Sequence, residues 1–277
     1  LCAVAGLVAG RWLPRAEGVS MTDEQKGFWQ PFLESPRPTL LVLGTPRFAT
    51  VGPSWVVRSP AFLNDWPAAP VNPELHRFEV LLNAQAHPVY SYVASGEALA
   101  AMTLTQQLEG LRGKIGFRRS AQFQWDELRT QDVIFLGAPK LNPPTRDLPI
   151  AEELTCEASD IRNLHPRPGE KTSYGITRAP ADGPVLEGHV LITRVSKTGM
   201  MGAVVAVGSP VSEGTWAAAD YISRPDYLRR LFAHVADAKG QLPASFQLVL
   251  RYRLKADVPI EVEYVTHHEL SVPAVSN

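Results

Sequence analysis

Apolar residues in this chain gather in short, continuous runs separated by polar and Pro-rich stretches. TLLVLG (39–44), DVIFLG (132–137) and AVVAVG (203–208) are rich in Val, Ile and Leu, and each closes on Gly, a small residue and Pro. Runs of this length predict strands buried on both faces. Gly permits an unusual turn, and Pro cannot extend a ladder that needs its N–H. Three such strands lying parallel and adjacent bring the loops 44–48, 137–146 and 208–215 to one carboxyl edge, where open α/β sheets hold ligands.

Other segments carry a helical period. Thr22 and Gln25 are spaced as a capping box for a helix bearing Phe28, Trp29, Phe32 and Leu33. A second helix is expected near 73–84, with Leu75, Phe78, Leu81 and Leu82 on one face. A strand near Val89–Val93 then leads to Ser95 as N-cap of a helix over 96–112. Leu99, Met102, Leu108 and Leu111 mark its apolar face and Gly113 its end. KIGF, a short helix around Trp125–Arg129 and the strand at 132–136 complete a β-α-β-α-β order between 89 and 137, for which right-handed parallel crossovers are expected.

AEEL (151–154) reads as helix, TCEAS and KTSYGITR as short strands, and HPRPGE as a turn. GHVLITRV and MMGAVVAVG read as a hairpin turning at Ser196–Gly199. A helix opens at Glu213 or Gly214, and another runs to about Ala238 with Leu228, Leu231, Phe232 and Val235 spaced for burial. FQLVLRYRLK and IEVEYVTHHEL alternate as half-exposed antiparallel strands near an edge. The expected class is α/β: a Rossmann-like three-layer domain over 38–272, with a mixed, mostly parallel sheet and an antiparallel C-terminal edge. Residues 273–277 form a tail.

The first residues change the picture. LCAVAGLVAG meets Arg11-Trp12-Leu13-Pro14-Arg15 abruptly, as the interfacial end of a membrane helix does. Residues 1–13 are read as a truncated transmembrane or signal segment and 14–37 as a juxtamembrane linker with a short helix. A signal-peptide remnant, a lipoprotein anchor at Cys2 and a buried helix are the alternatives. A net charge of −1 supplies no basic field for nucleic acid. The two cysteines, Cys2 and Cys156, show no metal or redox spacing and read as unpaired thiols.

Candidate chemistry collects on the second and third loops. Gly208–Thr215 leads from a buried strand into a helix and can offer backbone N–H groups to an anion through Ser209, Ser212, Gly214 and Thr215. It is neither a P-loop nor a dinucleotide fingerprint, and Glu213 opposes a phosphate. Lys140 and Asn142 add a cation and an amide, and Arg47 approaches the same edge. Each has a plainer reading as turn, cap or solvated surface. His267 and His268 point to opposite strand faces and make a poor chelate. No metal ligand set, cofactor motif or catalytic residue is assigned.

FWQPFL (28–33), LVLG (41–44), VIFLGAPKLNPPT (133–145), YGITR (174–178), HVLITRV (189–195) and VVAVGSPVSEGTWAAADYI (204–222) cover nearly the whole soluble region. In this order they resemble a bacterial α/β domain that follows a membrane helix, sometimes with an N-terminal helix-turn-helix regulator. The resemblance implies a membrane-anchored sensory or scaffold domain and carries over no catalytic residues. The expected function is non-catalytic ligand sensing or protein interaction, with a small anionic ligand or a protein as partner. A hydrolase or transferase using Ser209 or Thr215 is the alternative, and a structural cell-envelope component is a second one.

Overall fold

The three Gly-Pro runs become adjacent central strands: β1 (Thr39–Leu43), β6 (Asp132–Leu136) and β12 (Val204–Gly208). β6 pairs in parallel with both others. The computed structural model describes residues 21–46, 48–52, 55–58, 73–89, 91–108, 115–196 and 201–271. Continuous apolar runs are needed here because both sheet faces are covered. On β6, Ile134 and Leu136 join one core cluster while Val133 and Phe135 join another.

The main sheet follows the path β14-β13-β11-β12-β6-β1-β5, with the short β10 (Thr177–Arg178) also paired to β11. Here β5 is Ile115–Arg119, β11 is Val185–Val195, β13 is Ser245–Lys255 and β14 is Val258–Glu269. β5, β1, β6 and β12 run parallel; β11, β13 and β14 continue as antiparallel neighbours. Along this path five of seven strands point the same way, since β13 follows the direction of β12. The sheet is therefore mixed and mostly parallel, with an antiparallel C-terminal half.

The long helices gather over one face. They are α1 (Asp23–Leu33), α3 (Ser95–Gln107), α5 (Ser212–Tyr221) and α6 (Pro225–Val235), while α2 (Pro73–Leu82) lies between α1 and α3 in the Pro-rich region of the sequence. The opposite face is covered by the short α4 (Glu127–Thr130), by extended segments, and by a three-stranded sheet. That sheet comprises β7 (Leu154–Cys156), β8 (Asp160–Asn163) and β9 (Ser173–Gly175).

α1 begins as its spacing requires: Thr22 and Gln25 form both halves of a capping box. Phe28, Trp29 and Phe32 are buried, and the Trp29 indole donates to the Ile222 carbonyl at 3.0 Å. The buried Arg194 guanidinium reaches from β11 to the carbonyls of Phe28, Pro243 and Ala244, tying α1 to the sheet.

Several expectations are corrected. β4 occupies Ala86–Val89 and pairs antiparallel with β2 (Phe48–Val51), which also pairs β3 (Trp55–Arg58), so it does not open a parallel crossover. In α3, Met102 is 61% exposed, and the buried face is Gly96, Glu97, Ala100, Ala101 and Leu104. Small residues win there because α3 packs closely against α5. Its N-cap is Ala94, without a side-chain bond, instead of Ser95. Leu111 and Gly113 lie outside the described residues. In α2, Leu81 is 77% exposed.

AEEL forms no helix. The Gln247 side chain accepts from the backbone N–H groups of Glu153 and Leu154, holding the chain extended into β7. β11 pairs with β12 from Val195↔Val204, so the connection is longer than the expected four-residue turn, whose residues 197–199 lie outside the described ones. α5 starts at Ser212, and α6 ends at Val235 instead of near Ala238. Residues 1–20 also lie outside, and no helix among the described residues is long and apolar enough to cross a membrane.

Candidate functional site

The parallel register aligns Leu43 with Leu136 and Leu136 with Val207, so the loops after β1, β6 and β12 leave the sheet at one edge. Backbone bonds lock them together there: Gly44 N–H donates to Leu136 at 2.7 Å, Gly137 to Val207 at 2.9 Å and Thr45 to Leu141 at 2.8 Å. Gly137 has φ +107°, a conformation side chains rarely adopt, and the buried Glu97 carboxylate fills the space beside it.

Two helix N-termini join this edge. At Gly96 a Cβ would lie 1.9 Å from the Ser212 carbonyl oxygen, so the first turns of α3 and α5 touch backbone to backbone. Between these turns, the strand-end loops and the two small sheets lies a cleft of about 550 Å³. Phe48 and Tyr92 form one wall, with ring centroids 4.5 Å apart. Lys140, Ser159 and Arg178 line it from the 140, 158 and β10 segments. Ser209 to Glu213 supply the wall that leads into α5.

The predicted residues divide sharply. Lys140 and Ser212 line the cleft. The Lys140 ammonium donates to the Ala158 carbonyl at 3.0 Å and also to that of Pro210, bridging two walls. Ser209 lines it as well but is only 3% exposed. Its hydroxyl donates to the His189 carbonyl at 3.0 Å and shares a hydrogen bond of 3.2 Å with the Tyr252 hydroxyl.

Asn142, Gly214 and Thr215 are packing residues. Asn142 is buried under the edge, where its amide donates to the carbonyls of Val42 and Leu136 and pins the ends of β1 and β6 together. A Cβ on Gly214 would meet the Ser209 hydroxyl at 2.2 Å and the Tyr252 ring at 2.6 Å. Thr215 is fully buried, and its hydroxyl has no hydrogen-bond partner among the described residues. Arg47 lies outside the described residues.

Among the described residues, neither hydroxyl has the hydrogen-bonded neighbour that nucleophilic chemistry needs. An activated Ser or Thr requires a general base within hydrogen-bond reach. Ser209 meets a backbone carbonyl and a phenol, and burial raises the Tyr252 hydroxyl well above its usual range. The His189 ring turns away to the Gly175 carbonyl at 2.7 Å. The geometry therefore lends no support to a hydrolase or transferase at this edge.

A second polar cluster sits on the opposite sheet face. The buried His268 ring meets Glu153 at 3.4 Å and Glu170 at 2.9 Å, and His165 shares Glu153 at 2.9 Å. Its neighbour His267 instead contacts the Tyr264 hydroxyl at 2.8 Å, the divergence expected of adjacent strand residues. Among the described residues no group of three or more His, Cys, Asp or Glu is arranged to hold a metal ion.

Sequence reading missed Phe48, Tyr92, Ser159 and Arg178. They arrive from the Pro-rich excursion, from the β7–β8 connection and from β10 at the margin of the main sheet, and only long-range packing brings them to the edge. YGITR contained Arg178 but gave no sign that β10 would lie beside the α5 loop. Comparison with protein-family models and with curated proteins finds no match for this chain.

Proposed function

We propose that this chain is a non-catalytic, membrane-anchored sensory or interaction domain that binds a small anionic ligand in the strand-end cleft. The observation that carries this reading is the cleft itself. It lies beyond the carboxyl ends of parallel strands, the position favoured in open α/β sheets, and Lys140 and Arg178 line it. In this reading the parallel half is the Rossmann-like part of the fold, and the first turns of α3 and α5 add their dipoles to the attraction. Its volume falls within the ~300–1,000 Å³ of small-molecule sites.

Anchoring rests on the apolar run before Arg11 and on the resemblance already described. Fractionating cells that express the chain with and without residues 1–13 tests it, since an unchanged distribution removes the anchor from the reading.

Calorimetric titration with phosphate, pyrophosphate and sulfate tests the site. Wild type is expected to bind at least one of them. Arg178→Ala is expected to weaken that binding about threefold to tenfold, as loss of one partly solvated ion pair does. Lys140→Ala should weaken it at least as much. Arg178 is exposed and, among the described residues, hydrogen-bonds only the Gly183 carbonyl, at 3.4 Å, so its loss is expected to leave folding intact. Equal binding by all three proteins would sink the proposal, and so would failure of wild type to bind any phosphate-bearing ligand.

A further inference from the structure

We infer that the ligand of the strand-end cleft is a phosphorylated nucleoside, an inference that rests on the anion-binding reading above and names its chemical class. Three observations separate this class from a bare anion. The first is size: a cleft of about 550 Å³ leaves most of its space unfilled by one tetrahedral anion. A sugar and a base attached to the phosphate would occupy it.

The second is the aromatic wall. Tyr92 is 41% exposed although its ring packs on Phe48, and both rings line the cleft. An aromatic pair held by mutual contact, with one ring open to a cavity, is a ready stacking platform. Base-on-aromatic stacking is tolerant of base identity, because every base presents a π-face. An inorganic anion gains nothing from such a wall.

The third is Glu213. This residue lines the same cleft as Lys140 and Arg178. Beside a bare phosphate it is repulsive, which makes an all-anionic occupant a poor match. A carboxylate only accepts hydrogen bonds, and ribose hydroxyls or a base amino group donate them. A ligand with an anionic end, hydroxyl donors and a flat ring satisfies cations, carboxylate and aromatic wall together. The phosphate belongs with Lys140 and Arg178, the sugar by Glu213 and the base against Tyr92.

The test is calorimetric titration of the whole chain with the four ribonucleoside 5′-monophosphates and, in parallel, with pyrophosphate. At least one nucleotide is expected to bind tenfold or more tightly than pyrophosphate. Tyr92→Ala is expected to weaken nucleotide binding about tenfold and leave pyrophosphate unchanged, whereas Tyr92→Phe keeps the ring and the affinity. Circular dichroism and the thermal midpoint of each variant establish that it is folded. Pyrophosphate binding as tightly as every nucleotide, with no effect of Tyr92→Ala, overturns the nucleoside part and leaves the anion site standing. Failure of wild type to bind either probe overturns both.

Discussion

At the scale of single residues, Glu170 gathers a dense set of hydrogen bonds away from the cleft. Glu170 accepts hydrogen bonds from Asn163 and the Arg167 backbone N–H at 2.9 Å each, from His268 at 2.9 Å, and from the Thr266 hydroxyl. Burial opposes its ionisation, but the bonds from Thr266, Arg167, Asn163 and His268 outweigh it and hold the carboxyl at about 2 instead of 4.5. The unfolded chain then takes up a proton first as pH falls. The stabilisation is complete above about 4.5 and is lost through the interval down to about 2. Urea midpoints measured between pH 2 and pH 5 should therefore drop in wild type, and Glu170→Gln should flatten that component. At neutral pH the same change should cost ~1–3 kcal/mol, since it unsettles donors that are mostly buried. Identical pH slopes in the two proteins would show that Glu170 does not carry the effect.

At the scale of elements, the contact between α3 and α5 shapes the site. Gly96 lets the two first turns meet, and a methyl group there would sit 1.9 Å from a backbone oxygen that cannot swing away. Ala is favoured over Gly in helices by ~1 kcal/mol, while overpacking against a fixed neighbour costs ~1–3 kcal/mol or more. The second effect should win. Gly96→Ala is expected to lower the urea-derived stability by ~1–2 kcal/mol, and a variant at least as stable as wild type would refute the close contact. This contact explains what could and could not be read in advance. The strands β1, β6 and β12 were legible because burial on both faces demands uninterrupted apolar runs. The face of α3 was misread through Met102 because close helix packing selects Gly and Ala, which leave little hydrophobic periodicity. β4 was misassigned because four residues carrying a proline say nothing about which sheet they join. Of the residues lining the cleft, Lys140, Ser209 and Ser212 were expected at this edge from their place after strand ends, but Tyr92 and Arg178 needed the folded chain.

At the scale of the whole molecule, the question is whether the β7-β8-β9 sheet opens separately or unfolds with the main sheet. Gln247 decides it. Its side chain accepts from Glu153 N–H at 2.9 Å and Leu154 N–H at 2.8 Å, and donates to the Leu154 carbonyl at 2.7 Å and the Thr193 hydroxyl at 3.2 Å. A buried amide thus continues the hydrogen bonding of β13 into β7. Beneath this junction Cys156 packs with Leu154, Ile161, Leu191 and Val249, and burial pushes its thiol up to about 12. Alkylation needs an exposed thiolate, so Cys156 reports opening of this layer. In a Cys2→Ser background, Cys156 should react with iodoacetamide only as fast as global unfolding allows. Gln247→Ala leaves the backbone groups of β7 without these partners, so labelling should then exceed, by tenfold or more, the rate set by that variant's own global stability. Labelling that follows global unfolding in both proteins would mean apolar packing alone fuses the layers. Fast labelling in wild type would mean they are not fused. Because Lys140 reaches the Ala158 carbonyl between β7 and β8, a fused layer also holds one wall of the cleft. If the proposed anion binds there, Gln247→Ala should weaken its calorimetric affinity without touching it, and unchanged affinity would show that the β7-β8-β9 layer does not hold that wall.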